Sequence, residues 1–194
     1  MAIILVRHGE TDGNAQRILQ VPETPLNARG MAQAERLAGR LAQRPISHIL
    51  CSDFRRALQT AEPLAQRLGL CIEACALLEE RSFGALRGRP YASLDGDPFA
   101  ADFAPPGGET WDRFHARVAE AFQFLCARRA ACTGDLLVVT HGLVCRALME
   151  RHFPRVPELT IPQRAGNTSV SMFDDAPPHA PMLIDCCAHL VAPG

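Results

Sequence analysis

The sequence predicts an α/β protein, a three-layer α/β/α sandwich around a mostly parallel central sheet. Short and continuously apolar runs, at residues 3–6 and 136–139, have strand length and are typical of parallel strands buried on both faces. Between such runs lie longer segments with apolar residues at helical spacing, so strands and helices alternate along the chain. The length of 194 residues favours a single domain over 1–194.

The first elements follow this alternation. A strand is expected at residues 2–7, and a polar loop follows it. Asn27 is expected to cap a helix, because Asn side chains accept hydrogen bonds from free N–H groups there. The apolar face of this helix consists of Met31, Ala34, Leu37, Ala38 and Leu41. The run at 46–51 predicts the second strand.

The middle of the chain is expected to be less regular. Ser52 or Asp53 is the expected cap of the next helix, and Gly69 is expected to end it. Alternation over residues 70–77 predicts a strand, and the Gly- and Pro-rich segment 79–108 is predicted to be irregular.

The last third of the chain returns to the alternation. Thr110 is expected to cap a long helix, and a strand is predicted at 135–140, followed by a helix at 142–153. Two further strand-like runs, at 168–173 and 182–188, complete the pattern.

Composition excludes several classes of function. A net charge of −1 gives no basic footprint for nucleic acid or for an anionic membrane. No apolar run approaches the about 20 residues needed to span a bilayer, and the N-terminus has no signal-peptide pattern. A cytoplasmic location is therefore expected. The eight cysteines show no C-x-x-C spacing and are interpreted as reduced thiols.

All 20 basic residues are arginine, and the chain contains no lysine. The phosphate-binding loop G-x-x-x-x-G-K-[ST] and a Schiff-base lysine are therefore excluded. An anionic group would have to be bound by guanidinium, imidazole or backbone N–H groups. Arginine suits phosphate, because its planar fork binds two oxygens at once.

Polar residues follow the predicted strands at one end. His8 follows the first strand, residues 52–56 follow the second, and His141 and Gly142 follow the strand at 135–140. The carboxyl ends of parallel strands share one edge of the sheet, where helix N-termini present free N–H groups. Two histidines and several arginines are thus expected to converge on one anion-sized site.

Motifs in these positions resemble the histidine phosphatase superfamily, which is also called phosphoglycerate-mutase-like. They span most of the chain and are, in order, L-V-R-H-G-E-T (5–11), P-L-N-A-R-G (25–30), S-D-F-R-R-A-L-Q-T-A (52–61), L-E-E-R-S-F-G-A-L-R-G (78–88), P-G-G-E-T (106–110), V-T-H-G (139–142) and G-N-T-S-V (166–170). The resemblance implies the phosphoglycerate-mutase-like version of the predicted fold.

The resemblance implies a catalytic role for His8. It would attack phosphorus through Nε2 and form a phosphohistidine. Arg7 and Arg56 would bind the phosphoryl oxygens and keep His8 neutral, whereas Arg55 is expected to lie on the surface. His141 would donate a hydrogen bond to a phosphoryl oxygen.

Other residues match further positions of the family pattern. Glu80 would protonate the leaving oxygen and then activate water. Asn14, Gln20 and Gly142 would contribute to substrate binding. Val21 stands where relatives often have glycine, which puts the approach of the loop backbone to phosphate in question.

Residues 89–106 are expected to form a short lid. This segment carries one arginine, three aspartates and several aromatic residues. An apolar, mildly acidic lid favours water over a second anionic substrate as acceptor, and a ring-bearing or neutral alcohol as leaving group. The expected enzyme is therefore a phosphomonoesterase that resembles α-ribazole phosphatases or broad-specificity phosphatases, with a small phosphorylated metabolite as its substrate.

Several alternatives remain. Leu86 in A-L-R-G is somewhat mutase-like, so a phosphoglycerate mutase-type phosphotransferase is the second candidate, and an inactive module that binds phosphorylated ligands is the third. Zinc bound by His8, His141 and Cys145 is formally available, but neighbouring arginines disfavour a dication. No cofactor or metal is expected, and a homodimer stays open.

Overall fold

The computed structural model describes residues 1–191, which contain a six-stranded sheet. The strands are β1 (Ala2–Arg7), β2 (Ile46–Cys51), β3 (Ile72–Ala74), β4 (Asp135–Thr140), β5 (Val170–Asp174) and β6 (Pro181–Cys186). Their spatial order is β3-β2-β4-β1-β5-β6. The first four strands in this order are parallel, and β5 and β6 join them in antiparallel pairings. The sheet is mostly parallel, as predicted.

Helices cover both faces of this sheet. They are α1 (Asp12–Ala15), α2 (Ala28–Leu41), α3 (Arg55–Leu68), α4 (Trp111–Ala131) and α5 (Gly142–Arg151). Ile3 and Leu5 of β1 belong to one apolar cluster with α4 and α5, whereas Ile4 and Val6 belong to a second cluster with α2 and α3. Each fully buried aliphatic side chain of this kind contributes about 1.5–3 kcal/mol. The three-layer sandwich is confirmed.

Local signals fix most helix ends. The Asn27 side chain accepts a hydrogen bond from the Gly30 N–H (2.8 Å), and the Thr110 hydroxyl accepts one from the Arg113 N–H (3.3 Å). Gly69 ends α3 with φ 65°, a left-handed conformation that glycine adopts without steric cost. These three end positions were predicted.

The start of α3 differs from the prediction. Its N-cap is Phe54, which makes no side-chain cap, so neither Ser52 nor Asp53 caps this helix. The Ser52 hydroxyl instead accepts a hydrogen bond from the Phe54 N–H (3.3 Å) and pairs with His141 (2.8 Å). Because α3 begins only at Arg55, Ser52 precedes the N-cap position by two residues and Asp53 by one.

Two further predictions require correction. The strand expected at 70–77 is shorter in the structure and consists only of β3 (Ile72–Ala74). It lies at the sheet edge and pairs with β2 alone. The chain then turns through a 3₁₀ helix, Ala76–Leu78, towards the carboxyl edge of the sheet. Met31, expected on the buried face of α2, is 42% exposed, because Gly30 takes the buried position in the first turn and Met31 lies beside the buried stripe.

Within residues 1–191, no helix is long and apolar enough to cross a membrane. All eight cysteines are free thiols.

Candidate active site

The site lies at the carboxyl ends of the central strands. His8 directly follows β1, Ser52 follows β2, and His141 follows β4. Parallel pairing of Arg7 with Thr140 sets the two histidines side by side, with ring centroids 5.2 Å apart. The predicted convergence at one sheet edge is therefore observed.

His8 is buried and held in one tautomer. Its Nδ1 lies 2.7 Å from the Gly9 carbonyl oxygen, so Nδ1–H donates and Nε2 keeps its lone pair. The Arg56 Nε–H points to this Nε2 at 3.3 Å. Burial lowers the pKa of His8 well below its ordinary value, and Arg56 and Arg7 lower it further. Burial is thus the largest cause, ahead of the arginines that the sequence suggested.

Two arginines flank this imidazole. Arg56 is 2% exposed and also donates to the Val21 carbonyl oxygen (3.1 Å). Burial lowers the pKa of Arg56 to about 10, which leaves it charged at neutral pH. Arg7 donates to the Ala165 carbonyl oxygen, while its buried Nε has no partner within residues 1–191. Arg55 is exposed, as expected.

Glu80 approaches the histidine pair from the segment after β3. Its carboxylate accepts hydrogen bonds from the Arg81 N–H (3.0 Å) and from the Leu143 N–H (3.2 Å) in the first turn of α5. Removal from water raises the pKa of this carboxyl, and the two N–H groups and the arginines only partly oppose that rise. The group can therefore hold a proton at a higher pH than an ordinary glutamate.

His141 is fully buried, and its Nε2 pairs with the Ser52 hydroxyl at 2.8 Å. Burial lowers its pKa well below the ordinary value, with Arg56 and His8 as further causes. The ring is therefore neutral at pH 7. In the conformation described, its hydrogen-bonding partner is Ser52, a contact that sequence spacing did not reveal.

The remaining predicted binding residues lie around the same space. Asn14 accepts a hydrogen bond from Asn167 (3.2 Å), and the Gln20 side chain accepts one from the Thr11 hydroxyl (2.8 Å). Gly142 begins α5, where an added Cβ would lie 3.5 Å from the Arg7 Nε.

Two adjoining cavities open at this edge. The inner cavity, of about 80 Å³, is lined by His8, Arg7, Arg56 and Glu80, together with Asn14 and Gln20. The outer cavity, of about 250 Å³, shares Arg7, Asn14 and Glu80 and adds Gly142. Apart from the fully buried His141, every predicted site residue therefore lines one or both cavities.

The segment 89–106 contributes an aromatic wall to both cavities. Tyr91 and Phe99 line them, and their rings meet edge to face at 5.4 Å. Its aspartates, by contrast, are exposed.

Arg81, which the sequence analysis did not single out, holds this segment. It is 1% exposed and donates to the carbonyl oxygens of Pro98 (3.3 Å) and Phe103 (2.6 Å). The Trp111 indole N–H donates to the Ala100 carbonyl oxygen (2.7 Å). The sequence offered one signal, the arginine within the motif L-E-E-R-S-F-G. Its partners are 17 and 22 residues away, so the sequence did not reveal them.

The outer cavity also contains two arginines that sequence analysis missed. Arg17 and Arg164 line it, and both also line an adjoining side cavity of about 560 Å³, together with Asp97. The prediction of an apolar, mildly acidic wall considered only residues 89–106. It missed these two arginines because they come from other segments of the chain.

Metal binding has little support among residues 1–191. No group of three or more His, Cys, Asp or Glu side chains is arranged to hold a metal ion there. Burial raises the pKa of the Cys145 thiol above its ordinary value, which disfavours the thiolate that zinc requires.

A buried, neutral histidine between two arginines, at the carboxyl edge of a parallel sheet, is suited to covalent transfer of an anionic group. A match to a family model identifies the class of protein. The model for the histidine phosphatase superfamily (branch 1) matches residues 3–179, so the chain belongs to this superfamily.

Individual relatives carry both phosphatase and mutase names. Phosphoglycerate mutase-like protein 4 of Arabidopsis thaliana is 35% identical over 185 residues, which cover 88% of this chain and 78% of that protein. A candidate alpha-ribazole-5′-P phosphatase of Escherichia coli is 26% identical, with a TM-score of 0.83 and 96% of each chain covered. A mycobacterial glucosyl-3-phosphoglycerate phosphatase, solved with VO3, is 28% identical, with a TM-score of 0.76 and 89% and 90% covered. Both phosphatase and mutase names therefore occur among the proteins that this chain resembles.

Proposed function

We propose that this protein is a phosphomonoesterase that hydrolyses a small phosphorylated metabolite through a phosphohistidine at His8. One observation carries the proposal. The Gly9 carbonyl oxygen fixes the His8 tautomer so that Nε2 keeps its lone pair, and this nitrogen faces the Arg56 guanidinium in the inner cavity. A buried imidazole with a lowered pKa is neutral and nucleophilic at pH 7.

In the first step, the lone pair of His8 Nε2 forms a bond to phosphorus while the bond from phosphorus to the leaving oxygen breaks. Charge spreads over the three remaining phosphoryl oxygens. Arg7 and Arg56 stabilise that charge, and the free Nε–H of Arg7 is a donor available for it. His141 supports the site as a neutral neighbour, and Asn14, Gln20 and Gly142 surround the group.

Glu80 supplies the proton for the leaving oxygen. Its raised pKa keeps the carboxyl protonated to a higher pH than usual, and the transfer leaves a carboxylate. In the second step this carboxylate takes a proton from water as the water oxygen attacks phosphorus. The bond from His8 to phosphorus then breaks and releases inorganic phosphate. No step requires a metal or a cofactor, so activity should persist in a chelator.

The leaving group is an alcohol that fits the aromatic wall of Tyr91 and Phe99. A ring-bearing alcohol can stack or pack edge-on against these side chains. This supports an activity of the kind named for the α-ribazole phosphatase neighbour. A mutase is the second candidate, supported by the mutase-like relative and by Arg17 and Arg164 in the outer cavity. A substrate panel that preferred 3-phosphoglycerate over aryl phosphates would favour it.

The test is hydrolysis of p-nitrophenyl phosphate by the wild-type protein and by His8→Ala. We expect turnover and an acid-labile, alkali-stable phosphoenzyme only in the wild type. His115→Ala is the matched control, since it removes a histidine on α4 outside the inner cavity. Activity that survives in His8→Ala would overturn the mechanism, and an inactive wild type that still binds phosphate would favour a binding module.

A further inference from the structure

Two adjacent cysteines, Cys186 and Cys187, lie at the end of β6 and have no role in the chemistry proposed for His8. Both are half-buried free thiols. The Cys186 sulfur accepts a hydrogen bond from Arg40 Nη2 (3.2 Å) and another from the Ala188 N–H, at the start of the 3₁₀ helix Ala188–Leu190. Two donors, one of them a cation, therefore converge on a single sulfur atom.

Arg40, a residue of α2, is held against this sulfur by its other contacts. Its Nη1 donates to the Cys186 carbonyl oxygen (2.9 Å) and to His189 Nδ1 (3.0 Å). Among residues 1–191, Arg40 forms no ion pair with a carboxylate. The Cys186 sulfur, as a thiolate, is thus the anion that can balance this guanidinium, and a neighbouring arginine favours the thiolate over the thiol.

The two neighbouring sulfur atoms have opposite environments. The Ala188 N–H lowers the pKa of the Cys186 thiol; burial and Asp185 oppose this change, and Arg40 adds to it, so the pKa is lowered. Burial raises the pKa of the Cys187 thiol, with Asp185 and Cys186 as further causes. Burial likewise raises the pKa of four other thiols, those of Cys51, Cys75, Cys126 and Cys145. Cys186 is therefore set apart from its immediate neighbour by its donors.

A chain of hydrogen bonds leads from Arg40 to the backbone beside the nucleophile. Burial lowers the pKa of His189 to about 4, with Arg40 and Arg36 as further causes, so this ring is neutral at pH 7. Because arginine only donates, His189 Nδ1 accepts from Arg40, and its Nε2–H donates to the Thr168 hydroxyl (3.0 Å). Thr168 has φ 54°, a strained conformation for a β-branched residue, and its N–H donates to the Arg7 carbonyl oxygen (3.0 Å).

We propose that Cys186 is a modification site, a thiolate that hydroperoxides oxidise to a sulfenic acid. The sulfur attacks the terminal oxygen of the hydroperoxide, so that a sulfur–oxygen bond forms while the oxygen–oxygen bond breaks. The displaced alkoxide or hydroxide takes a proton from solvent. Sulfur is oxidised by two electrons, and the hydroperoxide is reduced to an alcohol or to water.

Oxidation of Cys186 regulates the active site, a consequence that rests on the proposed phosphomonoesterase activity. The 3.2 Å between the Cys186 sulfur and Arg40 Nη2 leaves no room for an added oxygen, so the guanidinium moves and its contact with His189 is lost. Thr168 then loses the donor that supports its strained conformation, and the backbone at Arg7 is held less firmly. Activity should therefore fall on oxidation and recover on reduction.

The modification is tested by dimedone labelling and peptide mass spectrometry, which require no turnover. After brief treatment of the reduced wild-type protein with hydrogen peroxide at pH 7, we expect at least about tenfold more label on Cys186 than on Cys187 or on the exposed Cys71. The variant Arg40→Met should lower the labelling of Cys186 by about fivefold or more, because the sulfur loses its cation. Iodoacetamide labelling of the wild type as a function of pH should show a lower midpoint for Cys186 than for Cys187.

The matched control is Arg36→Met. Arg36 lies four residues earlier on α2 and donates to the Leu190 carbonyl oxygen (3.0 Å) rather than to sulfur. Its loss should change the labelling of Cys186 by no more than about twofold. Wild-type protein in which Cys186 is labelled no more than Cys187 would overturn the modification site.

The regulatory consequence is tested with p-nitrophenyl phosphate. Peroxide should lower the activity of the wild type by about fivefold, and dithiothreitol should restore it. Cys186→Ser keeps an acceptor beside Arg40 and should retain activity within about twofold while resisting peroxide, whereas Cys187→Ser should stay sensitive. Full activity of protein labelled at Cys186 would overturn the regulation. A wild type that hydrolyses no p-nitrophenyl phosphate would refute the proposed function, and the labelling would still decide the modification site.

Discussion

A histidine attacks phosphorus only through a nitrogen that carries a lone pair, and the Gly9 carbonyl oxygen decides which nitrogen of His8 that is. Local contacts and burial likewise make Glu80 the proposed proton donor. Two backbone N–H groups orient its carboxyl, while removal from water raises its pKa. In the proposed mechanism one effect prepares both groups: burial favours the neutral form, so it lowers the pKa of the His8 imidazole and raises the pKa of the Glu80 carboxyl.

Glu80→Gln separates the two chemical steps. With p-nitrophenyl phosphate, whose leaving group needs no proton, we expect a stoichiometric burst of p-nitrophenol followed by slow turnover, because phosphohistidine hydrolysis lacks its base. With an alkyl phosphate, kcat/KM should fall by about 10²–10⁴. Rapid-mixing absorbance measures the burst, and Glu79→Gln serves as control. Loss of the burst together with turnover would show that Glu80 acts before the phosphoenzyme forms.

At the scale of elements, the loop after β1 is positioned by close contact with the first turn of α2. An added Cβ at Gly30 would lie only 2.0 Å from the Glu10 carbonyl oxygen. Glycine is required there by space, and this contact fixes the path of the chain that leads from His8 to Asn14.

Two glycines of α2 therefore respond differently to alanine. Gly30→Ala should lower stability by about 1–3 kcal/mol, as overpacking does, and reduce activity, because the loop must move. Gly39→Ala should stabilise by up to about 1 kcal/mol, since its Cβ would meet only the Arg67 side chain at 3.7 Å. Urea unfolding of both variants measures the difference. Similar changes in stability for the two variants would mean that the loop after β1 moves away from a Cβ at residue 30 without a loss of stability.

Arg81 anchors the segment 89–106, which is the predicted lid. Arg81→Met keeps most of the side-chain volume but leaves the carbonyl oxygens of Pro98 and Phe103 without their charged donor. We expect a loss of about 1.5–3 kcal/mol in stability and a raised KM with a smaller change in kcat. Steady-state kinetics tests this, with Arg113→Met as control. A fall in kcat alone would contradict an anchoring role.

At the scale of the whole molecule, burying two neutral histidines makes stability depend on pH. The pKa values of His8 and His141 are lowered in the folded state, so below about pH 6.5 the unfolded chain binds more protons. Stability should therefore fall as pH decreases through this window, by up to about 1.4 kcal/mol per pH unit for each histidine. The raised pKa of Glu80 has the opposite effect on stability. Because the folded protein binds this proton at a higher pH than the unfolded chain does, Glu80 stabilises the fold as pH decreases.

Urea midpoints between pH 5 and 7.5 measure this dependence. The variant His8→Gln/His141→Asn should show a shallower fall in stability towards acid pH than the wild type, and Glu80→Gln a steeper one. Identical slopes in all three proteins would mean that these groups titrate alike in the folded and unfolded chains.

Much of the fold was accessible from sequence because it depends on local signals. Asn27, Gly69 and Thr110 mark helix ends through contacts with their own neighbours. Ser52 does not cap α3, because the helix begins only at Arg55, and its hydroxyl pairs instead with His141, 89 residues away. The prediction that Met31 is buried was wrong, because a small error in the phase of the helical pattern moves a side chain from the buried face to solvent.

The sequence alone determined the family: the motifs in their order, with His8 after a buried strand, place the chain in the histidine phosphatase superfamily. The strand periodicity also determined that the polar residues meet at one sheet edge. Only the tertiary structure decided the His8 tautomer, the anchoring of the segment 89–106 by Arg81 and the positions of Arg17 and Arg164 in the outer cavity. The contacts of Arg81 and the lining of the outer cavity join residues distant in the chain, which no local propensity encodes, whereas the His8 tautomer depends on how its ring is oriented towards the adjacent Gly9 carbonyl oxygen.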